Sequence, residues 1–99
     1  MCQAPGLSSL FPLSTQTMFE QLQFIPHHIP GAIQGKYKFS NGWSISVVSG
    51  LYGSGLYGII PEGTYEVAIY RPNGNMTDDV IGWNTKDEVS AMMKVLCQL

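Results

Sequence analysis

Charge is what this sequence has least of. Asp, Glu, Lys and Arg make up only 12% of it, about half the ~25% of an ordinary soluble domain. Five basic residues stand against seven acidic ones, a formal net charge of −2. A nucleic-acid ligand needs clustered cations to neutralise its phosphates, and Lys36 and Lys38 are the only closely spaced pair. Direct binding of nucleic acid is therefore not expected. Seven carboxylates are likewise too few for a mimic of DNA. No apolar run is long enough to cross a bilayer, and no basic segment leads into a signal-peptide core. Neither a membrane partner nor a cofactor is expected. The two cysteines, Cys2 and Cys97, sit at opposite ends of the chain with no CxxC or Cys/His metal spacing. They read as separate reduced thiols, which points to a reducing, cytoplasmic setting.

What the sequence does have is a modest core and a surplus of apolar residues. A chain of 99 residues is one domain and buries roughly two thirds of its unfolded surface. With 44% apolar residues and so few charges, Ser, Asn, Gln, Gly and Tyr must cover the surface, and some apolar area stays in water. Such surfaces associate. A homodimer or another protein partner is expected, through a strand edge or an uncovered sheet face.

Residues 1–17 carry two prolines, polar filler and no charged side chain. They read as a poorly ordered arm whose Leu10, Phe11 and Leu13 dock onto the body; Met18 would also serve as a start. Residues 18–99 then form a single α+β domain. From Met18 a short helical or extended segment must stop at Pro26, and FIPHHIP reads as an extended, polyproline-like connector. Period-two alternation follows in KYKFS (36–40) and WSISVV (43–48). Between them lies Asn41-Gly42, the strongest short-range hairpin signal. TYEVAIY (64–70) alternates again between the turns Pro61-Glu62-Gly63 and Pro72-Asn73-Gly74-Asn75, and DVIGW (79–83) makes a last short strand. Thr85 and Glu88 have the spacing of a capping box, and Asp87 and Glu88 suit the first-turn dipole. Val89, Met92, Met93 and Leu96 recur on one helical face. The expectation is a small antiparallel sheet of three to four strands with a C-terminal helix, residues 86–98, packed on one face.

GLYGSGLYG, residues 50–58, is the feature these elements do not explain. A phosphate-cradling loop needs glycines that open a helix, usually with a lysine. Here Ile59-Ile60-Pro61 follows, and no Lys or Arg lies between Lys38 and Arg71. Nucleotide binding by this loop is disfavoured. Two readings stay open. In one, the repeat is a hairpin connection whose glycines supply positive φ and whose Leu-Tyr pairs clamp the loop onto the sheet. In the other it is a contact loop, with Leu51, Tyr52, Leu56 and Tyr57, and Tyr70 besides, as partner-binding residues. Tyrosine offers a large contact area with a polar tip at low entropy cost, as in antibody paratopes.

No catalytic constellation stands out. His27 and His28 would point opposite ways in extended chain and lack a third ligand for a metal. Asp78 and Asp79 sit beside a turn with no partner histidine, and no serine lies in a GxSxG elbow. Trp43 and Trp83 read as core. The chain reads as a non-enzymatic protein.

In order, FSNGWSISVVSG, a tyrosine-glycine loop, GTYEVAIYRPNG and DDVIGWNTKDEVSAMMKVL resemble a group of small proteins encoded by tailed bacteriophages. That group shows FxNGxxxSVV, YG, a YEVAV strand, a DVxGxxT segment and an EVxxxxxxV helix in the same order. The resemblance covers residues 37–96; the doubled GLYG and the first 30 residues have no counterpart in it. It implies a phage accessory protein in the host cytoplasm. Such a protein acts as a stoichiometric binder of a host protein, inhibiting an enzyme or a defence complex, CRISPR systems included. Two further functions fit the sequence: an oligomer that sequesters a small host metabolite or signalling nucleotide, and a structural or assembly accessory of the virion.

Overall fold

Each alternating run in the sequence becomes a strand. The computed structural model describes residues 18–99; the arm expected at 1–17 lies outside them. A 3-10 turn, Met18–Gln21, leads into strands β1 (Ile25–Pro26), β2 (Ile33–Lys38), β3 (Ser44–Ser49), β4 (Tyr65–Tyr70) and β5 (Ile81–Asn84), then helix α1 (Lys86–Cys97). The strands lie in chain order in one antiparallel sheet. The architecture is α+β with a C-terminal helix, as expected, but the sheet has five strands, not three to four.

The additional strand is β1, inside the segment read as a polyproline-like connector. Ile25 pairs with Gln34, and Pro26 with Ile33. Two residues offer no alternation to read, and a proline is tolerated there because β1 is an edge. Beyond β1 the chain bends, with the Ala32 N–H donating to the Ile29 carbonyl at 3.0 Å. The bend places the His27 and His28 rings side by side, centroids 4.1 Å apart with their planes tilted by 35°. The expectation that they point opposite ways assumed extended chain and does not hold.

The Asn-Gly turn forms where its residue types place it. Gly42 takes φ +97°, its N–H donates to the Phe39 carbonyl at 2.9 Å, and the Phe39 N–H donates to Trp43 at 2.8 Å. This is a three-residue loop with glycine at its left-handed position. Alternation then sorts the two faces of the sheet. Tyr37, Ile45, Val47, Val67 and Ile69 join the core with α1. The opposite face carries the cross-strand rows Gln34-Val48-Glu66, Lys36-Ser46-Ala68 and Lys38-Ser44-Tyr70.

On the core side Val89, Met93 and Leu96 of α1 are buried and Met92 packs against them. A side chain of this kind contributes about 1.5–3 kcal/mol when fully buried. The capping box is formed: the Thr85 N–H donates to Glu88 Oε1 at 2.8 Å, and the Glu88 N–H to Thr85 Oγ1 at 3.2 Å. At the other end Asn41 Nδ2 donates to the Leu96 carbonyl at 2.8 Å, satisfying one of the orphan acceptors of the last turn. The 3-10 turn is tied to the helix by the Phe19 N–H, which donates to Ser90 Oγ at 2.9 Å. Phe19 then meets Tyr65 edge-on at 5.0 Å.

Cys97 is disulfide-bonded rather than a free thiol, and its partner lies outside the described residues. This corrects the reading of Cys97 as a reduced thiol, which took its place near the chain end as a sign of isolation. Among the described residues no helix is long and apolar enough to cross a membrane.

Candidate functional site

The glycine loop is pinned at its two ends. The Gly50 N–H donates to the Gly58 carbonyl at 3.0 Å, and the Ile60 N–H to the Gly50 carbonyl at 2.8 Å. Residues 50–58 therefore leave and rejoin the sheet at one point, as in an Ω-loop. Gly58 presses directly on β4: a Cβ there would lie 2.6 Å from the Tyr65 Cα, a contact only glycine avoids. Gly53 and Gly55 instead reverse the tip, at φ +83° and +87°, with open space around them.

Leucines and tyrosines separate in this loop. Leu56 folds back over Gly50, and Leu51 reaches across Gly31 while keeping part of its surface in water. Tyr52 and Tyr57 stand out, 65% and 53% exposed. The leucines thus turn back towards the body and the two tyrosine rings stand in water.

Two glutamates hold the tyrosine positions. The Tyr52 hydroxyl donates to Glu62 Oε2 at 2.8 Å. That hydrogen bond, helped by desolvation and the carboxylate's charge, holds the phenol proton and raises Tyr52 above the ordinary tyrosine pKa. Glu66 Oε1 accepts from the Tyr57 N–H at 2.8 Å, fixing the backbone beneath the second ring.

Trp83 corrects the reading that placed it in the core. It is 54% exposed, its N–H donates to the Tyr57 carbonyl at 2.7 Å, and its ring lies 6.0 Å from that of Tyr57. Its φ of +58° is left-handed, rare for a bulky side chain. The cause is local: the β4–β5 register shifts between Tyr65 and Val67, and such a bulge re-aims a side chain. Gly82 leaves room for the pair, since a Cβ there would lie 2.6 Å from the Tyr57 Cβ. Hydrophobicity alone assigns a tryptophan to the interior; the register shift that turns it outward leaves no mark in the sequence.

Tyr70 does not belong with the loop. It pairs with Ser44 at the opposite end of β4 from Tyr65, half-buried on the face away from α1. The loop carries Leu51, Tyr52 and Tyr57, the structure adds Trp83 beside Tyr57, and Tyr70 lies apart. Phenols, an indole and hydrogen-bonded carboxylates can form contacts with a partner. Among the described residues no group of three or more His, Cys, Asp or Glu could hold a metal ion. No family model, no curated protein and no solved structure matches the chain.

Proposed function

We propose that this protein is a non-enzymatic, phage-encoded inhibitor that binds a host enzyme or defence complex, and that Tyr52, Tyr57 and Trp83 anchor the contact. The observation that carries this reading is the exposed Tyr57–Trp83 pair. A fold that minimised exposed apolar area would turn that tryptophan inward. Here it is held outward at a left-handed φ, and strained backbone of this kind clusters at functional sites, costing about 1–3 kcal/mol. Aromatic anchors of this type dominate protein interfaces, and pinned loop ends lower the entropy lost on contact. The phage origin and the host target rest on the resemblance of residues 37–96; the contact chemistry rests on the loop.

The test places a photo-crosslinking amino acid at Tyr57 and, as a control, at Tyr70, in cells of the bacterial host. A discrete host protein captured from position 57 and not from position 70 is the expected result. No adduct from position 57, or the same adducts from both, would overturn the assignment.

A further inference from the structure

The open face of the sheet carries a second site. Large side chains on its flanks surround small ones at its centre: Gln34, Lys36 and Lys38 of β2 on one side, Tyr70 of β4 on the other, and Ser44 and Ser46 of β3 as the floor. The resulting cavity has a volume of about 380 Å³, within the range of small-molecule sites, about 300–1,000 Å³. Tyr37 and Ile45 border it from within the strands, but their side chains join the core.

The chemistry of this cavity has one sign. Two lysines and no carboxylate line it, on a chain whose net charge is −2. Arg71 donates to the Met76 carbonyl and Lys86 sits over the Phe19 ring, whereas no ion pair occupies Lys36 or Lys38 among the described residues. Glu66, on the same face but outside the cavity lining, accepts from the Tyr57 N–H through Oε1. Ser46 supplies the second observation. It is only 7% exposed, and its Oγ accepts from Gln34 Nε2 at 3.0 Å. That hydroxyl and the Gln34 amide set hydrogen-bonding groups beside the two lysines. A serine hydroxyl both donates and accepts, so Ser46 can donate to an oxyanion seated in the cavity.

We propose that this cavity binds a small phosphate monoester carrying a planar ring, of mononucleotide size. The phosphate oxygens accept from Lys36, Lys38, Ser44 and Ser46, and the ring lies against Tyr70. An oxyanion with several acceptor oxygens and no donor suits a wall made of donors. A polyanion does not, because two ammonium groups neutralise one phosphate, not a run of them. A second copy of the chain is equally unsuited, since face-to-face pairing would bring the same lysines together. The site is separate from the loop patch and does not depend on it.

The experiment is a titration of the protein with adenosine 5′-monophosphate, followed by amide chemical shifts. Adenosine, inorganic phosphate and a short single-stranded oligonucleotide are run in parallel. Shifts confined to β2, the start of β3 and Tyr70 are expected, with affinity falling at least about tenfold (1.4 kcal/mol) for adenosine and for inorganic phosphate. Lys36→Gln/Lys38→Gln should lose binding to a similar extent, and Ser46→Ala should weaken it with no change in the lysines. Tyr52→Ala/Tyr57→Ala should bind the mononucleotide as the parent does, which keeps this test independent of the loop. No shift on this face at millimolar mononucleotide, or equal binding by the double Gln variant, overturns the site. Inorganic phosphate binding as tightly as the mononucleotide overturns the role of the ring, and tighter binding of the oligonucleotide overturns the small-ligand assignment.

Discussion

Glycines of the same loop serve opposite ends. A side chain at Gly58 has nowhere to go, with the Tyr65 Cα at 2.6 Å and the Glu66 nitrogen at 2.7 Å from a built Cβ. Gly58→Ala must therefore push β4 from the loop, at about 1–3 kcal/mol for an overpacked site. Gly53 meets nothing within 4 Å, so Gly53→Ala costs only the left-handed φ, about 1–2 kcal/mol, and no displacement of β4. Denaturant unfolding gives the two stabilities, and amide shifts of Tyr65 and Glu66 locate the disturbance. Shifts there in Gly53→Ala as large as in Gly58→Ala would contradict this division. Tyr52 provides a second test at this scale. Its folded pKa is raised, so the hydrogen bond to Glu62 is fully present below the unfolded tyrosine value and is lost as pH rises through the folded one. Ultraviolet titration of phenol ionisation should show one tyrosine titrating late in the parent. Glu62→Gln should bring that step down towards the ordinary value; an unchanged titration curve would disprove the Tyr52–Glu62 pairing.

Helix α1 was the most legible element because several independent signals agreed on it. Thr85 and Glu88 marked its start, and Val89, Met92, Met93 and Leu96 marked its buried face, which is where the structure puts them. Leu96→Ala should cost about 2–5 kcal/mol and Thr85→Ala about 1 kcal/mol, both read from thermal or denaturant unfolding. A parent-like melting temperature for Leu96→Ala would refute the packing of the helix. Strands β3 and β4 were legible for the same reason, since alternation leaves one side apolar. β2 begins at Ile33, three residues before the alternation in the sequence, because Gly35 interrupts the pattern. That glycine is there for close packing: a Cβ would lie 3.2 Å from the Leu22 Cβ. β1 and the outward turn of Trp83 depend on pairing register, which is a relation between distant segments. Of the candidate site, Tyr52 and Tyr57 were readable as a repeated aromatic unit. Trp83 was not readable, because its exposure follows from a bulge between strands. The Lys36, Ser44, Ser46 and Tyr70 grouping was hidden likewise, as it exists only once β2, β3 and β4 are in register.

Sparse charge shapes the behaviour of the whole molecule. Both sheet edges are poor templates for pairing: β1 is two residues with a proline, and β5 carries a bulge and a left-handed tryptophan. Such features block strand addition, and the open face presents Lys36 and Lys38. We propose that self-association, which the composition favours, runs through the exposed Tyr57–Trp83 pair in competition with the host partner. We expect a homodimer at micromolar concentrations by light scattering, and Trp83→Ser should convert it to a monomer without loss of fold. A monomeric parent, or a Trp83→Ser variant that stays dimeric, would contradict that placement. On the proposed function the loop tyrosines anchor a protein partner instead of holding the fold together. It is tested most directly by measuring affinity for the host protein crosslinked from position 57, together with melting temperature, on one preparation of Tyr52→Ala/Tyr57→Ala. Affinity should weaken about thirtyfold or more, the equivalent of at least about 2 kcal/mol, with a melting temperature close to that of the parent. A clear fall in melting temperature with unchanged affinity per folded molecule would contradict it and make the loop part of the scaffold.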